Sequence, residues 1–111
     1  MIGSGQLDQR IVIEQPTTAE DKYGEETPSG WSELATRWAQ KEVESDTESF
    51  AAEHHHGRRV VRWTMRYDAT LEDVDRTMRI VHGGTHYEVV AAHDPDGKRR
   101  EFVIVTEVKP T

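Results

Sequence analysis

Three consecutive histidines, His54, His55 and His56, are the residues of this chain whose type points most directly to metal chemistry. Imidazole nitrogen is a common ligand of zinc and other transition metals. In a helix, however, neighbouring side chains point about 100° apart, so three adjacent histidines do not converge on one tetrahedral ion. The sequence therefore predicts a solvated polar cluster and no metal site, with a pH-sensitive contact as the alternative reading.

Carboxylates are the other groups that could take part in acid–base catalysis. Their spacing in this sequence is typical of solvated loops. They cluster in residues 20–26 and 72–75, and neither cluster places a histidine beside a nucleophile. The chain has no cysteine, no serine-centred elbow, no phosphate-binding glycine loop and no metalloprotease motif. We therefore predict a protein that is not an enzyme, with no catalytic residues and no cofactor.

The length and the net charge of the chain exclude further classes of protein. The chain has 111 residues, a hydrophobic fraction of 34% and a formal net charge of −7, which fits one small domain over residues 1–111. An acidic balance argues against a protein that holds nucleic acid by neutralising phosphates. No apolar run approaches the length of a membrane span, so no membrane partner is expected.

The clearest pattern lies in residues 59–67, where apolar and basic side chains alternate with a period of two. This pattern predicts a strand with one buried face. The residues predicted for the core are Val61, Trp63, Met65 and Tyr67. The arginines Arg59, Arg62 and Arg66 belong to the other face or its end, and they either contact a phosphate or acidic partner or simply face solvent.

The remaining elements that would position these residues are also short strands. Strands are predicted at residues 7–14, 35–43, 78–82, 85–92 and 101–108, with Gly83 and Gly84 in a tight hairpin turn. Pro16 is expected to end the first strand, residues 15–30 to form a loop, and residues 68–75 to form an acidic loop. Together they predict an all-β fold, a small six-stranded antiparallel β-barrel of the SH3-like or OB-like type.

One segment, residues 45–57, breaks the all-β pattern. Ser45 and Glu48 fit a capping box, and Gly57 fits a left-handed helix stop. A helix of about ten residues is marginal in water, and Phe50 is its one large apolar side chain, so we expect a mobile insertion between strands 2 and 3. The residues singled out in it are Ser45, Glu48, Phe50, Ala51, His54, His55, His56 and Gly57.

The ordered combination of short motifs resembles the phage head–tail joining protein family, over about residues 7–105. In the first half the motifs are LDQRIVIEQP, DKYGE, a tryptophan followed by LATRWAQKE, and ESFAAE. In the second half they are RWTMRYD and MRIVHGGTHYEVVAAHDPDGKRREFVIV. Each piece is a short strand motif, and their order along nearly the whole chain carries the resemblance.

The resemblance implies a structural protein of the neck of tailed phages or gene transfer agents, made in the host cytoplasm and built into the virion. Family members form a ring, typically of twelve copies, below the portal and its adaptor. The ring closes the DNA-filled head, gates the channel through which double-stranded DNA passes, and docks the tail or its terminator protein. By position, residues 45–57 match the family's channel-gating loop.

A closed ring of identical copies needs two different faces, and charge makes Arg59, Arg62 and Arg66 candidates for contacts with an acidic loop of the next copy or with a partner. Two alternatives stay open. One is a tail-completion or tail-terminator ring protein, whose members are also small and rich in strands. The other is a free small barrel that binds nucleic acid or regulates a partner, which would need aromatic and basic side chains on one face. Trp63 and Tyr67 share the apolar face instead, which disfavours the second alternative.

Overall fold

The computed structural model describes residues 4–43 and 59–108, and all structural statements below refer to them. Six strands account for most of this chain. They are β1 (Gln9–Glu20), β2 (Glu26–Val43), β3 (Arg59–Arg66), β4 (Arg79–His82), β5 (Thr85–His93) and β6 (Glu101–Val108). Two short 3₁₀ helices, Ser4–Gln6 and Ala69–Asp73, accompany them.

The six strands form one closed barrel in the order β1-β2-β3-β6-β5-β4, and every pairing is antiparallel. A short ladder between β1 and β4 closes the ring, with Val12 opposite Val81 and Glu14 opposite Arg79. Closure leaves the barrel itself without an open edge for unwanted strand pairing. The predicted small six-stranded antiparallel barrel is therefore confirmed.

One face of each strand supplies the core, as a period-two pattern requires. On β3, Val61, Trp63 and Met65 are buried while Arg62 and Arg66 are exposed. Tyr67, just past the end of β3, is half-buried and packs against this core. The other strands contribute the buried residues Ile11, Ile13, Ala35, Ala39, Ile80, Tyr87, Val89, Phe102 and Ile104.

The hairpin turns are set by glycines in left-handed conformations. Gly83 and Gly84 have φ angles of 56° and 81°, so both lie where a side chain would be strained. Two successive positive φ angles are what a tight turn between β4 and β5 demands, and this turn agrees with the sequence prediction.

The prediction that Pro16 ends the first strand is wrong. β1 continues to Glu20, and β2 begins at Glu26, so most of the predicted loop of residues 15–30 is paired strand. Pro16 lies opposite Trp31 in this part of the hairpin, where β1 has only one neighbour. A proline lacks a backbone N–H donor, and such a position tolerates it because one edge of the strand needs no partner.

The acidic segment of residues 68–75 is also more than a solvated loop. It contains the 3₁₀ helix Ala69–Asp73, which Asp68 caps by accepting a hydrogen bond from the backbone N–H of Thr70 at 2.8 Å. Leu71 and Val74 are buried in the core cluster. The sequence prediction missed these two core residues because carboxylates flank them.

Candidate functional site

A two-stranded arm, residues 15–32, extends beyond the barrel. The β1–β4 ladder reaches Glu14 and Arg79, and past this point β1 and β2 pair with each other as far as Glu20 and Glu26. At the strand rise of about 3.3 Å per residue, six further residues carry the tip about 20 Å from the barrel. The arm is the most exposed element that the structure describes.

The tip of the arm is an ordered turn that presents an aromatic side chain. The carboxylate of Asp21 accepts hydrogen bonds from the backbone N–H groups of Tyr23 at 2.8 Å and Glu25 at 3.0 Å. Gly24 completes the turn with a φ of 84°. Tyr23 is 80% exposed, with the ammonium of Lys22 at 5.2 Å from its ring centroid. Within the predicted loop of residues 15–30, this turn is the part that is not paired strand.

Negative charge surrounds this tyrosine. Glu20, Asp21, Glu25 and Glu26 lie at the tip against one cation, Lys22. Glu20 and Glu26 are directly opposite each other in the ladder, where like charges repel. Among the described residues, neither of these two carboxylates forms an ion pair. The arm therefore ends in an acidic surface with an aromatic centre.

The base of the arm is held by Arg79 of β4. Its guanidinium carbon lies 4.0 Å from the ring centroid of Trp31, and its Nε donates to Oε1 of Glu14 at 2.7 Å. A groove of about 590 Å³ runs beside this stack, with Met78 and His86 in its wall. Arm and barrel are thus joined by a cation–aromatic stack and a half-buried ion pair.

Another exposed aromatic residue lies at the other end of the hairpin. Trp38 of β2 is 50% exposed, and the guanidinium carbon of Arg10 lies 5.2 Å from its ring centroid. The β2–β3 ladder runs from Val43–Val61 to Gln40–Thr64 and not beyond.

A groove of about 490 Å³ opens past the last pair of this ladder, because β2 and β3 are no longer hydrogen-bonded there. We call it the Trp38 groove, and it is lined by Leu7, Arg37, Trp38, Met65 and Arg66.

The charges around the Trp38 groove are mostly positive. Arg37 is engaged, because its guanidinium lies 3.3 Å from Asp68 and hydrogen-bonds to the Thr36 carbonyl. Hydrogen bonds from Thr70 and the charge of Arg37 lower the pKa of Asp68, so this carboxylate stays ionised. Arg10 and Arg66 are exposed and form no ion pair among the described residues.

The three arginines predicted for contacts, Arg59, Arg62 and Arg66, are exposed on β3. Arg66 lies in the wall of the Trp38 groove, while Arg59 and Arg62 lie further along the strand. Their contact with a partner stays a prediction. Sequence reasoning missed Trp38 and Arg10, although an outward-facing tryptophan on an amphipathic strand was the signal that could have revealed them.

Lys41 of β2, three residues beyond Trp38, lies near two aromatic rings of the core. Its ammonium lies 5.8 Å from the ring centroid of Trp63 and 5.7 Å from that of Tyr87. His82 packs beside them, 5.2 Å from Trp63, and hydrogen-bonds to Gln9 at 2.8 Å. Burial, together with the charge of Lys41, lowers the pKa of His82, which favours a neutral imidazole.

The predicted gating segment, residues 45–57, lies outside the described residues, and so do His54, His55 and His56. Within residues 4–43 and 59–108, no three histidine, aspartate or glutamate side chains are grouped so as to hold a metal ion. In the same part of the chain, no helix has the length and apolar character needed to cross a membrane.

Fold and exposed groups together define a small all-β barrel with an extended hairpin arm. The family model described as phage head completion protein matches residues 2–109, and the chain belongs to this family. The family resemblance read from the sequence is thereby confirmed. No curated protein matches the chain at a significant level.

Two solved structures share the fold. The protein SF1141 from Shigella flexneri 2a, solved in solution, is 24% identical, with a TM-score of 0.71 over 96% of each chain. A chain from the virion of a native gene transfer agent particle is 17% identical, with a TM-score of 0.65. That match covers 94% of this chain and 96% of the other. At these identities the likeness establishes the barrel architecture.

Proposed function

We propose that this protein is a structural component of the neck of a tailed phage or gene transfer agent. It forms a ring below the portal and its adaptor, closes the DNA-filled head and offers the surface on which the tail docks. The observation that carries this proposal is the match of the head completion family to residues 2–109, nearly the whole chain. The likeness to a chain of a gene transfer agent virion supports it.

The charge of the chain suits a channel for DNA. Each copy carries a formal charge of −7, so a ring of twelve copies carries a large negative charge, and we propose that its lumen is negative. Such a surface repels phosphates, and double-stranded DNA slides through it without sequence-specific binding. We assign the protein no catalytic step and no cofactor, because the proposed work is done by contacts alone.

Its partners are of three kinds in this proposal. Identical copies contact each other through two different faces, because a closed ring requires a heterologous interface. The portal or adaptor ring lies above, and the tail or its terminator protein lies below. Assembly takes place in the host cytoplasm, and the finished protein resides in the virion neck.

Channel gating is the finer part of the proposal, and we assign it to residues 45–57. What supports it is their position between β2 and β3, which matches the gating loop of the resembled family. Joining residue 44 to residue 57 through a short Gly/Ser turn should leave the barrel folded. Particles with this variant should package DNA and then lose it. Variant particles that retain their DNA as well as the parent does would remove gating from the proposal.

The main experiment is to inactivate the gene and examine the particles by electron microscopy and DNA quantification. We expect packaged heads that lack tails and leak DNA, restored by the wild-type gene supplied in trans. Heads that keep their DNA beside tails of irregular length would favour the tail-completion alternative. Normal particles, together with absence of the protein from purified virions, would overturn the proposal and favour a free regulatory barrel.

A further inference from the structure

We infer that the arm tip of one copy docks into the Trp38 groove of a second copy. Tyr23 would lie against Trp38, and the tip carboxylates would face Arg10 and Arg66. This contact rests on the proposed ring and names the two different faces that a heterologous interface needs.

The Trp38 groove has the properties of a docking site. It is open because β2 and β3 stop pairing at Gln40 and Thr64; Leu7 gives it an apolar wall, and the buried Met65 lies beneath it. Trp38 leaves half of its surface in solvent at the mouth. Aromatic residues of this kind contribute large contact areas when a partner covers them, and they are enriched at the centres of interfaces.

The arm tip has an ordered structure. Tyr23 projects from a turn whose backbone is fixed by Asp21, so little conformational freedom is lost when it docks. The arm is anchored at its base by the stack of Arg79 on Trp31. Tyr23 at the tip of this anchored arm is an exposed aromatic residue, and the groove of about 490 Å³ has another, Trp38, in its wall.

The charges of the two surfaces are complementary, which selects a second copy as the occupant. Glu20 and Glu26 oppose each other without an ion pair in the described chain, and Arg10 and Arg66 are likewise unpaired there. Bringing the surfaces together would relieve the repulsion at the tip and place two guanidinium groups against carboxylates.

The tip cannot reach the groove of its own chain. Arg10 and Trp38 are directly opposite each other on β1 and β2, and Glu20 lies ten residues further along β1. An extended strand of this length spans about 33 Å, in a molecule whose longest extent is 48 Å. The two surfaces are thus at opposite ends of one hairpin, as a head-to-tail contact requires.

A single contact of this kind is small, so free copies should be mostly monomeric. Twelve such contacts around a closed ring, on a preformed portal and adaptor, would reinforce each other through a raised effective concentration. The expected behaviour is weak association in solution and a stable contact in the particle.

Cross-linking tests the contact directly, because the chain has no cysteine of its own. Lys22→Cys places a thiol beside Tyr23, and Gln40→Cys places one on β2 at the border of the groove. The two variants are mixed and treated with a short bismaleimide. We expect about tenfold more heterodimer than from Lys22→Cys mixed with His93→Cys, which is exposed on β5; tenfold corresponds to about 1.4 kcal/mol.

Side-chain controls separate docking from random collision. Adding Trp38→Ala or Tyr23→Ala should reduce the heterodimer to the yield of the control pair, whereas Tyr23→Phe should preserve it. Raising the salt concentration should lower the yield, because exposed charges are screened. Equal yields from the docking pair and the control pair would overturn the contact.

Nucleic acid is the alternative occupant of a groove flanked by arginines. A fluorophore on Gln40→Cys, titrated with a short DNA duplex, should show no binding. A duplex that binds there in a Trp38-dependent manner, with no cross-linking between copies, would assign the groove to DNA and overturn the inference.

Particles made with a chain that carries both Lys22→Cys and Gln40→Cys allow the arm–groove contact and the proposed ring to be tested separately. Cross-linking in purified particles should give a ladder of covalent oligomers. If microscopy shows the protein as a ring in the neck but no ladder forms, the contact is wrong and the ring stands. If the protein is absent from the neck, the proposed function fails, whatever the cross-linking in solution.

Discussion

The guanidinium carbon of Arg79 lies 4.0 Å from the ring centroid of Trp31 and fastens the arm to the barrel. The same side chain donates from Nε to Glu14 at 2.7 Å, and one of its Nη atoms lies 3.2 Å from Nδ1 of His86. One residue at the start of β4 therefore contacts β1, β2 and β5. Past Glu14 the described part of β1 pairs with β2 alone, and the stack of Arg79 on Trp31 joins this arm to β4.

Arg79→Ala should lower the free energy of unfolding by about 1–2 kcal/mol, because a cation–aromatic stack and a half-buried ion pair are both lost. The free energy of unfolding of Arg79→Lys should lie between those of the wild type and Arg79→Ala, since an ammonium keeps the charge but not the planar stack. The measurement is urea denaturation. Arg76→Ala, an exposed arginine in the turn before β4, serves as the control and should change stability by less than about 0.5 kcal/mol. Equal losses in both alanine variants would show that the junction contributes nothing specific.

The barrel could be predicted from the sequence because its strands have one solvent-exposed face and one buried face. Residues 59–67 carry that alternation, and Gly83 with Gly84 marks the tight turn that follows β4. The arm has solvent on both faces, so apolar and polar side chains do not alternate along it. Its polar sequence is therefore typical of a loop. Pro16 strengthened that reading, since a proline usually ends a central strand, yet here it lies in a two-stranded ribbon.

The candidate contact surfaces were predictable only in part. The outward arginines of β3 followed from the pattern, but the groove beside Arg66 depends on where the β2–β3 ladder stops. That is a property of barrel closure and not of local sequence. Likewise, Trp31 and Arg79 are far apart in the chain, and no periodicity connects them.

A buried hydroxyl links two strands in the core and gives a second prediction. The indole N–H of Trp63 donates to Oγ1 of Thr106 at 2.9 Å, and this hydroxyl donates to the carbonyl of Val61 at 2.9 Å. Both Trp63 and Thr106 are fully buried. Thr106→Val should cost about 1–3 kcal/mol, because it leaves the indole N–H without an acceptor in an apolar core.

Thr106→Ser is the matched control for this chain of hydrogen bonds. It keeps the hydroxyl and removes one methyl group, so its cost should stay near 1 kcal/mol. Trp63→Ala, which also removes the largest core side chain, should cost about 3–5 kcal/mol and leave a largely unfolded protein on warming. Thermal and urea unfolding measure the relative stabilities of these three variants. A serine variant with a lower free energy of unfolding than the valine variant would contradict the role of the hydroxyl.

The pH dependence of stability should have its near-neutral step at His82. Burial and the charge of Lys41 lower its pKa from the ordinary 6.5, so the unfolded chain takes up a proton more readily than the folded one. The contribution is fully present above pH 6.5 and is lost as the pH falls toward the lowered value. Unfolding free energies measured from pH 7.5 down to 5 should therefore decrease.

His82→Gln should flatten this step while keeping an N–H donor near Gln9. The carboxyls of Asp68, Asp75 and Asp96 have pKa values lowered from 3.8 by hydrogen bonds, so their stabilisation is lost only in more acidic solution. The two steps are thus separated on the pH axis. A variant that retains the full decrease between pH 7.5 and 5 would place the titrating group elsewhere.

The last prediction separates folding from assembly at the arm tip. Asp21→Ala removes the acceptor that fixes the backbone N–H groups of Tyr23 and Glu25, whereas Asp21→Asn retains an acceptor oxygen. The tip is about 20 Å from the barrel, so the alanine variant should lose less than about 1 kcal/mol of stability. Amide exchange at Tyr23 and Glu25 should become faster, and particles with this variant should show incomplete necks and lost DNA. The asparagine variant should resemble the parent in exchange and in particle yield. An alanine variant with faster exchange but normal particles would show that an ordered tip is not needed for head completion.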